Sequence, residues 1–158
     1  MKHQPGLITT DQLKVFSKKN NDFIVDVRPI DAYNGWKLQG EVRGGHIRGA
    51  KSLPAKWANY IDWIEIVRSK NILPENEIVL YGYENNESEK VAALFLRAGY
   101  QKIRYYQHFL DEWISDERLP MDRLPGYTSL VYAGWVNSLI HGEIPPEYHA
   151  NLMGKLGI

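Results

Sequence analysis

Short apolar runs bounded by turn residues alternate along this chain with stretches in which apolar residues return every three or four positions. Residues 23–28, with Phe23, Ile24, Val25 and Val27 ahead of Pro29, and residues 77–81, with Ile78, Val79, Leu80 and Tyr81, are runs of the first kind. Their continuous apolar character predicts strands covered on both faces. A briefer strand is expected within 46–54 and another over 102–106. The second kind begins where Thr9, Thr10 and Asp11 precede Leu13, Val15 and Phe16, a capped short helix that stops in the polar cluster 18–22. A short helix is expected over 30–36, followed by a loop over 38–45 punctuated by Gly40, Gly44 and Gly45. Trp57, Ile61, Ile64 and Val67, widened by Trp63 and Ile66, predict one helix over 55–68 with a single buried face. Further helices are expected over 89–98, closed by Gly99, and over 109–114, before a charged, proline-marked stretch to 125.

Strands alternating with helices through short connections imply parallel βαβ units whose right-handed crossovers put helices on both faces of the sheet. The expected architecture over residues 1–125 is a three-layer α/β/α domain around a central parallel sheet of about five strands. Beyond Pro125 and Gly126 the pattern restarts with a strand-like 129–131 and a helical stripe of Trp135, Leu139 and Ile140, then fades. Residues 126–158 are read either as a C-terminal helical extension or as the lead-in to a second domain that is missing.

Lys plus Arg and Asp plus Glu number 19 each, so no summed field gathers phosphate backbones or anionic membranes, and nucleic acid is not an expected partner. No apolar stretch approaches the ~20 residues of a membrane span. The N-terminal residues lack the apolar core of a signal peptide, which makes the cytoplasm the default expectation, short of excluding export after removal of a leader. The chain contains no cysteine, which removes disulfides, thiolate nucleophiles and sulfur-ligated zinc together. The five histidines, His3, His46, His108, His141 and His149, are scattered and are read as having no partner at a metal-site spacing, so neither a metal nor a cofactor is expected.

Several of these residues fall into a known order. Ile24-Val25-Asp26-Val27-Arg28, Tyr33, Gly45-His46-Ile47-Arg48-Gly49-Ala50 and Leu53-Pro54, continued by 78–81, 91–96, Ala98-Gly99-Tyr100, Tyr105-Tyr106 and Trp113, resemble the rhodanese (thiosulfate sulfurtransferase) homology domain. Arg48 stands where that family usually has proline, and the connection 34–44 is longer than usual. The resemblance implies a rhodanese-like fold in which Asp26, Arg28, His46 and Gly49 belong to a structural motif. It also implies that 126–158 corresponds to the lead-in of tandem-domain sulfurtransferases, whose Trp135 face would dock on the first domain or on another copy of the chain.

In that family one thiolate follows a central apolar strand, at the mouth of a loop whose backbone N–H groups curl around the sulfur and feed a helix N-terminus. The family pattern, Cys-x-x-Gly-x-Arg-Ser, falls here on Gly82, Tyr83, Glu84, Asn85, Asn86, Glu87 and Ser88. The cysteine position is Gly82, the loop glycine Asn85 and the substrate-binding arginine Glu87; Ser88 alone matches. Covalent sulfur transfer by this loop is therefore not expected. Glu84, Glu87 and Glu89 oppose an incoming anion, and Asn86 with Glu89 is expected to form a capping box that satisfies the helix's own N–H groups. Ser88 is read as contributing to that cap, Asp26 and Arg28 as a strand-end pair that ties the neighbouring loops by charge-assisted hydrogen bonds, and His46 as a satisfied structural histidine. Trp57, Tyr60 and Trp63 are assigned to the core, and Asp111-Glu112 and Asp116-Glu117 to a solvated surface.

The implied function is a non-catalytic rhodanese-like domain, the N-terminal unit of a thiosulfate- or mercaptopyruvate-type sulfurtransferase. It would serve a structural or substrate-access role for a catalytic rhodanese domain not present in this chain. The alternative is a free-standing regulatory or protein-interaction module whose acidic loop meets a basic partner. A third reading, an enzyme by other means, requires His46, Asp26 and Ser88 within hydrogen-bond reach of one another.

Overall fold

The computed structural model describes residues 5–16 and 22–124, so the segment 126–158, and with it the expected Trp135 helix, lies outside the described residues. A five-stranded sheet is built in the order β1 (Gly6–Leu7), β6 (Ile103–Tyr105), β5 (Ile78–Tyr81), β2 (Phe23–Asp26), β4 (Lys51–Ser52). All its pairings are parallel. The two most apolar runs, β2 and β5, take the middle, in the register Phe23 to Ile78 through Asp26 to Tyr81.

Strand alternation then divides the core in two. Val25, Ile78 and Leu80 face a cluster with Trp63, Val67, Val91, Ala92 and Phe95 from helices α3 (Trp63–Ser69) and α4 (Asn85–Arg97). Ile24, Val79 and Tyr81 face the other way, onto Leu13 and Phe16 of α1 (Thr10–Phe16) and onto Phe109 and Trp113 of a π-helical turn (Phe109–Trp113). The expected three-layer α/β/α arrangement is the observed one. Helix α2 (Ile30–Asn34) leads into the long connection, and a small antiparallel pair, β3 (His46–Ile47) with β7 (Met121–Asp122), stands apart from the main sheet.

Several boundaries differ from the sequence expectation. The single helix expected over 55–68 is a 3-10 turn (Ala55–Asn59) and α3, separated where Tyr60 adopts extended backbone. This break places Ile61, counted on the buried stripe, fully in solvent, and leaves Tyr60 exposed rather than in the core. Trp63 is buried edge-on against Phe95, and Trp57 is half-buried. The strand expected within 46–54 is two strands in two different sheets, joined by a turn in which Gly49 has φ of +86°. That backbone region suits glycine. β7 falls within the stretch read as charged and irregular.

Arg43 fastens the long connection to the closing segment. Its guanidinium donates to the carbonyl oxygens of Trp113 (2.7 Å), Ile114 (2.8 Å), Leu119 (2.9 Å) and Asp116 (3.0 Å), capping the otherwise open carbonyl end of the π-helical turn. No helix among the described residues is long and apolar enough to cross a membrane.

Candidate functional site

Because Asp26 pairs with Tyr81, the two central strands end side by side, and the chain leaves them at Val27 and Gly82. At the β2 end Arg28 is fully buried and grips Asp26, also fully buried, with Nε to Oδ1 at 3.0 Å and Nη2 to Oδ2 at 2.6 Å. Nη2 also donates to the Gly45 carbonyl at 2.6 Å, and the Tyr81 hydroxyl donates to Asp26 Oδ2 at 2.7 Å. The guanidinium lies over Phe109 (4.5 Å from the ring centre) and Tyr83 (5.1 Å). Burial works against the Arg28 charge, but the Asp26 carboxylate outweighs it and holds the guanidinium pKa above its usual value. Burial, with Asp26 beside it, raises the Tyr81 phenol well above the ordinary range.

Glu41, from the long connection, completes this network. One carboxylate oxygen stands 3.6 Å from Arg28 Nη1 and accepts a short hydrogen bond from the Tyr83 hydroxyl. Burial and that bond to Glu41 push the Tyr83 phenol up. The extra length of 34–44 thus delivers a buried carboxylate that pins the second residue of the loop. Glu41 is a residue that sequence reasoning missed, since no local spacing ties it to a partner 42 positions away.

At the β5 end the loop is short. Glu84 occupies the N-cap in extended conformation without a capping side-chain bond, and α4 begins at Asn85. Asn86, Ser88 and Glu89 therefore lie inside the helix, and the capping box expected from Asn86 and Glu89, with Ser88 contributing, does not form. A three-residue exit from β5 starts the helix earlier than the pattern indicated. Ser88 is buried in the first turn and is no exposed nucleophile.

A side chain at Gly82 would be crowded. A β-carbon there would come within 2.8 Å of Val27 Cγ2 and 3.4 Å of Glu87 Oε1. The half-buried Glu87 carboxyl has its pKa raised by burial, partly offset by the backbone N–H groups of Glu84 and Tyr83. The loop thus presents a carboxylate, and no thiol, beside residue 82.

His46 Nδ1 faces the Tyr33 carbonyl at 2.8 Å and its ring stacks on Tyr33 at 3.7 Å. Asp26 is committed to Arg28 and Tyr81, so these groups and Ser88 form no catalytic set. The expectation that no histidine has a metal-type partner needs correction. His108 Nδ1 lies 3.2 Å from Asp111 Oδ2 and 3.3 Å from Glu112 Oε2, at helical spacings of three and four. All three are exposed, and the hydrogen bond to Asp111 raises the His108 pKa. They satisfy one another as surface ion pairs.

A rhodanese-like domain model matches residues 9–116. This chain belongs to the rhodanese-like domain family. It is 27% identical over 139 residues to the thiosulfate sulfurtransferase YnjE of Escherichia coli (strain K12), covering 86% of this chain and 30% of that protein. Among solved structures, it is 51% identical, with a TM-score of 0.78, to a variant of EanB bearing a cysteine persulfide in a tetrahedral intermediate state with ergothioneine. That match spans 90% of this chain and 34% of EanB. A comparable match, 50% identical with a TM-score of 0.79 over 92% of this chain and 34% of the other, is to the anaerobic ergothioneine biosynthesis enzyme from Chlorobium limicola in complex with its natural substrate, trimethyl histidine. The chain thus spans about a third of the length of these relatives.

Proposed function

We propose that this chain is a non-catalytic rhodanese-like unit of a larger sulfurtransferase, positioned N-terminally and packed against a catalytic rhodanese domain that supplies the working cysteine. The observation that carries this reading is Gly82 at the cysteine position, in a chain with no cysteine anywhere to replace it. The strong similarity to one third of EanB, which carries a cysteine persulfide in a tetrahedral intermediate state with ergothioneine, and to one third of an anaerobic ergothioneine biosynthesis enzyme whose natural substrate is trimethyl histidine, supports a parent of the same class. Thiosulfate- or mercaptopyruvate-type transfer, the reading suggested by the family alone, is the alternative for the parent's donor. The unit's own part is structural. Its buried Asp26–Arg28–Glu41 network gives a rigid edge against which a catalytic unit can hold substrate access fixed.

The test is direct. The purified chain, incubated with thiosulfate and cyanide and separately with a persulfide donor and trimethyl histidine, is expected to yield neither thiocyanate nor ergothioneine above background. Either product, formed in proportion to this chain, overturns the proposal.

A further inference from the structure

Thr10 follows β1 and His108 follows β6, which are parallel neighbours, so both residues stand at the carboxyl edge of the sheet. Open α/β sheets gather their ligands at this edge. The π-helical turn is anchored to the core by Phe109 and Trp113, both buried, and it leaves His108, Asp111 and Glu112 exposed together. His108 Nδ1 lies 3.2 Å from Asp111 Oδ2 and 3.3 Å from Glu112 Oε2, and the three atoms all fall within 4.8 Å of one another. Two ligands of a tetrahedral zinc, each about 2.0–2.2 Å from the metal, stand about 3.3 Å apart, so the imidazole is already at ligand spacing from both carboxylates. The set is also braced from behind. The buried Tyr106 hydroxyl donates to the His108 carbonyl at 3.0 Å and stands 2.7 Å from Thr10 Oγ1, and Thr10 Oγ1 donates to Glu112 Oε1 at 2.6 Å. One phenol thus fixes the backbone of the histidine and, through Thr10, the Glu112 oxygen that is not beside the imidazole, which leaves Oε2 to serve as a ligand. Outer-shell partners of this kind orient metal ligands and strengthen binding. Asp111 and Glu112 also line an open cleft of about 420 Å³, roomy enough for water ligands, whose cations Lys14 and Arg118 are paired with Asp11 and Asp116.

We propose that His108, Asp111 and Glu112 form a binding site for a divalent transition-metal ion of the zinc class, with Thr10 as the positioning residue that orients Glu112 and with water completing the coordination. The single imidazole N–H that pairs these groups reaches one carboxylate at a time, whereas a dication at the same point bonds all three. The donor set selects the metal: an imidazole nitrogen with two carboxylate oxygens suits zinc and its first-row neighbours, while magnesium and calcium favour oxygen alone. The site is independent of the catalytic status of loop 82–88, so its failure leaves the proposed function standing.

The experiment titrates zinc chloride, and separately magnesium chloride, into the full ¹⁵N-labelled chain without a histidine tag at neutral pH, read by NMR and by calorimetry. Wild type is expected to show saturable zinc shifts centred on the amides of residues 108–113, with none from magnesium. His108→Ala, a change at an exposed side chain, is expected to abolish them. Thr10→Val, which removes only the outer-shell hydroxyl, is expected to weaken zinc binding about tenfold, and Thr10→Ser, which keeps the hydroxyl, to bind as wild type does. Should Thr10→Val unfold, Glu112→Gln decides, since it keeps the Thr10 bond, loses the ligand charge and is expected to weaken binding at least as much. Zinc that leaves 108–113 unshifted, or that His108→Ala binds as tightly as wild type, is an adventitious ion only and overturns the site. Folded Thr10→Val that binds as wild type does overturns the positioning role of Thr10.

Discussion

The ends of β2 and β5 lie side by side in one register, yet one closes in a buried network of charges and the other opens at a glycine into a helix. At the β2 end Asp26, Arg28, Tyr81 and the Gly45 carbonyl satisfy one another with distances of 2.6–3.0 Å. At the β5 end Gly82 and Glu87 stand where the family resemblance aligns a cysteine and an arginine. A buried charge left without its partner costs several kcal/mol, so the first set can change only as a whole. A loop at a helix entrance faces solvent and can exchange residues at little cost to the fold. The charge network that holds the β2 end and the loop that follows β5 are neighbours in space and separable in energy.

The sharpest way to break this comparison is Arg28→Ala. It strands the Asp26 carboxylate in a site with no solvent access, and the expected loss is about 3–5 kcal/mol, read as a lowered urea midpoint. Arg28→Lys is expected to recover only part of it, because an ammonium cannot reproduce the guanidinium fork on Asp26 and Gly45. A loss under about 1 kcal/mol for Arg28→Ala, within the range of exposed ion pairs, would mean that the β2 end is no more constrained than the loop.

How much of this was readable beforehand follows the range of the interactions. The central strands were legible because unbroken apolar runs such as 78–81 have one stable use in an α/β domain, burial on both faces. Asp26, Arg28 and the position of Gly82 were legible because their spacing survives in the chain itself. Glu41 was not, since its partners Arg28 and Tyr83 lie 13 and 42 residues away and a lone acidic residue in a Gly-rich loop carries no signal. Nor was Arg43, whose four acceptors are backbone carbonyls and so leave no side-chain pattern. The break at Tyr60 was hidden because Ile61 fits the helical period while the backbone does not follow it. The helix start at Asn85 was misplaced because Asn86 and Glu89 imitate a capping box that the short exit from β5 pre-empts.

A second prediction sharpens the β5 side. Putting the thiol back with Gly82→Cys is expected to cost about 1–3 kcal/mol, because the new β-carbon meets Val27 Cγ2 at 2.8 Å and the strand end must shift. The thiol itself is expected to react slowly with a disulfide reagent at neutral pH, since the adjacent Glu87 carboxylate disfavours the thiolate. Val27→Ala in the same chain should relieve the stability loss without speeding the thiol, and Glu87→Ala should speed the thiol without relieving the stability loss. Crossed outcomes, with either change curing both defects, would show that steric and electrostatic losses at this loop are one event.

The smallest effect concerns pH. Burial raises the Glu87 pKa in the folded chain, so folding favours its protonated form. Its contribution to stability is therefore fully present below the unfolded carboxyl value and is lost as pH rises through the higher folded value. Glu87→Gln has no such titration. The difference in stability between wild type and Glu87→Gln is expected to move in favour of wild type as pH falls from neutrality into the range of carboxyl titration. The shift should be about 0.5 kcal/mol or less, because the group is only half-buried and solvent screens much of the penalty. Paired urea titrations at several pH values measure it. A difference that stays flat would place the carboxylate in open solvent, while one that moved toward the variant on acidification would mean that the backbone donors outweigh burial and the carboxylate is held charged.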